Sequence, residues 1–171
     1  MSRVDLEKIG IYDVVLKNIY GQAEVVKLTI LARRLAFQSV PDRLDFNESK
    51  ISNRISEALR TVPNWKMIVE DTRVDKNPWR VTAKLVEPFK NDSGELIIGN
   101  ILLFRKANQP DQWITNSEET NVFDGISTKK IDDYNVSWSQ DTGPIIQAAP
   151  GTVKVDEYKG VIQWSLTDAP V

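Results

Sequence analysis

The chain has 171 residues, 24 acidic and 22 basic side chains, a net charge of −2, 41% apolar residues, and neither cysteine nor histidine. That length forms one domain, or one domain with a short extra segment, and buries a core without covalent staples. The two absences exclude disulfide frameworks, cysteine zinc sites, serine-histidine-aspartate triads and histidine metal clusters, and the isolated basic pairs Arg33-Arg34 and Lys129-Lys130 leave no electrostatic footprint for nucleic acid.

In chain order, the opening MSRVDLEKIG lacks the basic-then-apolar layout of an export signal, and no run approaches the roughly 20 apolar residues of a membrane span. Direct membrane insertion is therefore not expected. Runs rich in Val, Ile, Trp and Thr then predict strands over 11–19, 24–31, 64–71, 79–89, 100–106 and 157–166, bounded by the turn sequences NIYGQ, DKNPW, KNDSGE, DTGP and APGT. This is an all-β alphabet with the spacing of a single antiparallel β-sandwich carrying long loops.

One stretch, 48–60, dissents. Ile51, Ile55 and Leu59 fall at i, i+4 and i+8 ahead of Pro63, which reads either as a short amphipathic helix or as irregular strand. The stretch 116–144 is polar, with scattered apolar anchors at Val122, Phe123, Ile126, Ile131, Tyr134, Val136 and Trp138, and reads as long connecting loops. Trp113, Trp138 and Tyr134 lie beside or within it and are the candidates for contact with a ligand or partner.

Two strands carry an aromatic and an aliphatic residue at i and i+2, Trp79-Arg80-Val81 and Trp164-Ser165-Leu166. Side chains two apart in a strand share a face, so each pair is read as core. In the last strand Tyr158, Gly160, Ile162, Trp164 and Leu166 share one side, too continuous an apolar stripe to leave wet. Asp71 and Arg73, also two apart, suit an ion pair or turn brace.

The acidic pairs Glu70-Asp71, Glu118-Glu119 and Asp132-Asp133 point to opposite strand faces or lie in loops, so paired-carboxylate catalysis is not expected. Asp124, Asp132 and Asp133 lack the dense spacing of a calcium loop. No catalytic residue, metal or cofactor is expected.

In order along the chain, SVPDRLDF (39–46), VEDTR (69–73), PWRVTAKLVEPF (78–89), GELIIGNILLF (94–104) and APGTVKVDEYKGVIQWSLTDAPV (149–171) resemble a WxL domain, the C-terminal cell-surface module of low-GC Gram-positive bacteria. The resemblance covers roughly 35–171. It leaves 1–34 either as extra strands of the same sandwich or as the tail of an upstream region. Three positions depart from the family pattern: the first motif is Trp79-Arg80-Val81, Asn47 replaces a glycine after Phe46, and Val74 replaces one after Arg73. The resemblance implies a non-enzymatic protein, secreted and held without covalent attachment at the cell wall by peptidoglycan or another wall polymer, its export signal lying outside this sequence. It also implies an alternative, a module that assembles with a membrane-anchored surface protein of the same gene cluster and reaches the wall through it.

Overall fold

The structure, a computed structural model, describes residues 10–17, 23–30, 33–73, 77–128 and 133–169. The strands are β1 (Gly10–Lys17), β2 (Ala23–Ile30), β3 (Leu35–Ser39), β4 (Ser56–Ala58), β5 (Lys66–Asp71) and β6 (Trp79–Lys90). They continue with β7 (Leu102–Arg105), β8 (Gln112–Trp113), β9 (Thr120–Gly125), β10 (Asp133–Ser137), β11 (Gly143–Ala148) and β12 (Lys159–Asp168). The chain divides into two compact units, Met1–Arg34 and Leu35–Val171. In the first, β1 and β2 form an antiparallel two-stranded sheet, from Gly10 opposite Ile30 to Lys17 opposite Ala23.

The second unit is all-β, built from three antiparallel sheets in the orders β10-β5-β3, β4-β11-β7-β8 and β12-β6-β9, none closing into a barrel, consistent with a β-sandwich. Alternation explains which faces meet. Met67 and Val69 of β5, Val136 of β10, Trp79, Val81 and Ala83 of β6, Val122 of β9 and Leu102 and Phe104 of β7 turn into one common core. Each of the three sheets contributes to it, so no sheet is stable as an isolated layer.

Of the two readings of 48–60, the irregular strand holds and the helix does not form: Ile51 and Ile55 are 45% and 63% exposed, the segment runs irregularly, and it joins a sheet only as β4 and the Phe46–Arg60 bridge. An amphipathic pattern holds a helix only when its apolar stripe has a surface to cover, and these isoleucines have none. The stretch 116–144 is not merely loop, because it contains β9 and β10 and starts β11; its anchors Val122 and Val136 are core residues carried by strands that are polar on the other face. Ile131 lies outside the described residues.

Candidate functional site

The two motif tryptophans occupy opposite situations. Trp79, at the start of β6, is 1% exposed; its ring stacks on Phe123 at 5.6 Å and meets Tyr134 edge-on at 5.9 Å. Its neighbour across the ladder is Gly125, where a Cβ would fall inside the indole ring, so only glycine fits. The indole N–H donates to Ser127 Oγ at 2.8 Å, and Ser127 in turn hydrogen-bonds Asp71. Val81, wholly buried, follows on the same face.

Asp71 ends β5 and is fully buried. Burial pushes its carboxyl up, but hydrogen bonds from Arg73 Nε at 2.9 Å, Arg73 Nη2 at 2.8 Å, Ser127 and the Arg73 backbone N–H outweigh that and hold it at about 2. Arg73 also donates to the Asn77 carbonyl at 2.9 Å and pairs with Asp168, while the Ala169 N–H donates to the Pro78 carbonyl at 3.0 Å. Three separate sequence segments, VEDTR, the start of PWRVTAKLVEPF and the tail WSLTDA, thus converge on one corner and pin the end of β12.

Trp164 lies elsewhere on β12, opposite Ala83, and is half-buried, as is Leu166. It belongs to an array of three indoles. Trp65 and Trp138 stack at 6.0 Å with 15° between planes, Trp138 and Trp164 at 6.2 Å and 24°, and Trp65 and Trp164 at 5.6 Å and 37°. Phe104 closes the inner side, edge-on to Trp138 at 5.2 Å. Trp65 is buried, with its N–H donating to the Arg43 carbonyl at 2.8 Å. Trp138 and Trp164 are half-buried, and their N–H groups make no hydrogen bond among the described residues and reach solvent.

Trp138 is placed by a buried cation. Arg60 is 0% exposed, and its guanidinium donates to the carbonyls of Thr142 at 2.6 Å, Ser139 at 2.7 Å, Trp138 at 3.2 Å and Pro144 at 3.2 Å. Gln140 Nε2 returns a bond to the Arg60 carbonyl at 2.7 Å. Burial lowers the Arg60 pKa, yet a guanidinium stays charged in proteins, and here carbonyl dipoles rather than a carboxylate solvate it. The turn reaches β11 through Gly143 at φ +83°, where a Cβ would approach Arg60 and Trp138 to within 3 Å.

The remaining candidates stand apart. Tyr134 is half-buried against Trp79; its hydroxyl accepts from the Thr128 N–H at 2.6 Å and donates to the Thr128 carbonyl at 3.2 Å. Trp113, on the edge strand β8, is 41% exposed and sits opposite buried Leu103. The structure therefore brings Trp138 and Trp164 together and separates both from Trp113 and Tyr134. Sequence reading missed Trp65 and Arg60. The period-2 run Trp65, Met67, Val69 marks Trp65 as inward-facing; Arg60 carries no such signal, since its partners lie about 80 residues away.

Among the described residues no three acidic side chains cluster as metal ligands, and no helix is long and apolar enough to cross a membrane. No family model, curated protein or solved structure matches the chain.

Proposed function

We propose that residues 35–171 form a non-enzymatic surface module that associates without covalent attachment with the peptidoglycan of a Gram-positive cell wall. The observation that carries this reading is the half-open indole array. The stacked tryptophans leave outer ring edges at the surface as apolar ground for sugar rings, and the N–H groups of Trp138 and Trp164 supply donors at the rim. The ordered resemblance to a WxL domain supports the same reading. The test is sedimentation of the purified chain with insoluble wall sacculi: Trp138→Leu keeps an apolar side chain, leaves unfolding cooperative and lowers the bound fraction. Retention equal to the parent chain removes the array from the mechanism.

A second reading is favoured by a different region. Asn91 Nδ2 donates to Asp156 at 2.7 Å and Lys154 pairs with Glu95, which ties 91–98 to 154–156 and displays Leu96, Ile98 and Val155 at the same end. Exposed aliphatics ringed by ion pairs suit a protein partner, here a membrane-anchored surface protein of the same gene cluster. A chain that ignores sacculi but binds that neighbour, and loses it on Ile98→Asp, supports this reading over the first.

A further inference from the structure

The segments 39–45 and 61–68 are joined at both ends and held apart between. At one end Ser39 pairs with Ile68 in the β3–β5 ladder; at the other the Thr61 N–H donates to the Asp45 carbonyl at 2.9 Å and the Asn47 N–H to the Leu59 carbonyl at 2.8 Å. Between them lies a shallow cleft of about 590 Å³ that is largely open to solvent. The Trp65 N–H bonds the Arg43 carbonyl of the facing segment at 2.8 Å.

The lining is divided by chemistry. Pro41, Val62 and Ile68 give apolar surface, and Arg43 is taken up by Asp45 at 2.9 Å. Among the described residues Asp42 on one wall and Lys66 on the other make no side-chain ion pair or hydrogen bond, and the side chains of Ser39 and Asn64 are equally unspent. Strand geometry adds a further feature. Strand β3 stops pairing at Ser39, whereas β5 runs on to Lys66, leaving the start of β5 without a ladder partner on the cleft side.

We propose that this cleft binds a short extended peptide bearing both a free amine and a free carboxylate. The amine meets Asp42, the carboxylate meets Lys66, the peptide backbone pairs with the open start of β5, and small apolar side chains rest on Pro41, Val62 and Ile68. A neutral sugar would leave both charges unused. The proposal rests on the charged walls and open strand edge of the cleft; of the three indoles only Trp65 lines it, and Trp138 and Trp164 do not.

The test is titration of the isotope-labelled chain with trialanine, followed by amide chemical shifts. Saturable shifts at Ser39, Asn64 and Lys66 are expected. N-acetyl-trialanine amide, which lacks both charges, should bind about tenfold or more weakly, and Asp42→Asn and Lys66→Gln should each weaken trialanine severalfold without moving the thermal midpoint. Absence of saturable shifts at millimolar peptide overturns the proposal. So does equal binding of the capped peptide, or an N-acetylglucosamine disaccharide that shifts the same amides. Sacculus sedimentation in parallel keeps the two readings separate, since loss at Trp138 leaves trialanine binding intact.

Discussion

The surroundings of Trp79 and of Trp164 show one local pattern put to two uses. Both residues start an aromatic-x-aliphatic pair on strands of the same sheet, in register with each other's neighbourhood: Trp79 faces Asp168 and Trp164 faces Ala83. Around Trp79 a hydrogen-bonded chain runs through Ser127 and Asp71 to Arg73, and across the ladder only glycine fits. Around Trp164 the rings pile up with their outer edges wet. A strand motif thus sets which face a tryptophan takes, while the opposing layer decides whether that face is sealed. Gly125 and Phe123 seal one; around the other, Trp65 is buried while Trp138 and Trp164 stay half-exposed.

The sharpest way to break this contrast is Trp79→Ala. It removes a sealed ring and strands Ser127, and should lower unfolding free energy by about 3–5 kcal/mol in a denaturant titration. Arg60→Leu comes next. It leaves four carbonyls without their shared donor, and about 3 kcal/mol should go, with loss of the near-ultraviolet signal of the stacked indoles as the 138–144 turn loosens. Trp164→Ala should cost about 2 kcal/mol, less than Trp79→Ala because part of the ring is already wet. Equal losses for the two tryptophans would collapse the distinction.

Acid tests the Asp71 corner separately. Its carboxyl drops from an ordinary value of 3.8 to about 2 on folding, so the stabilisation is present above about pH 5 and disappears as pH falls toward 2. The amount is about 2 kcal/mol, and Asp71→Asn should flatten that part of the stability-versus-pH curve. The smallest effect belongs to Trp113→Ala, where an exposed edge residue should change stability by about 1 kcal/mol or less.

The six strands marked by β-branched and aromatic runs were legible because alternation writes burial directly into such segments. Strands β9 and β10 were not, since DYNVS and TNVFDG carry one or two inward residues each among polar ones and borrow their order from β6 and β5. Stretch 48–60 stays open between helix and irregular strand for the converse reason: its isoleucines have helical spacing but no surface beneath them. For the candidate site, Trp138 and Trp164 could be named singly from sequence. Their meeting could not, because it depends on Arg60 gathering a turn some 80 residues downstream.

Arg60 also limits how the chain can drift. Four carbonyls spread around a planar group demand its fixed fork of donors, and a lysine, with three donors at one point, keeps the charge but cannot reach them all. Position 60 is therefore frozen by shape rather than by sign, and any descendant that keeps the three-indole array has to keep this arginine or rebuild the 138–144 turn entirely.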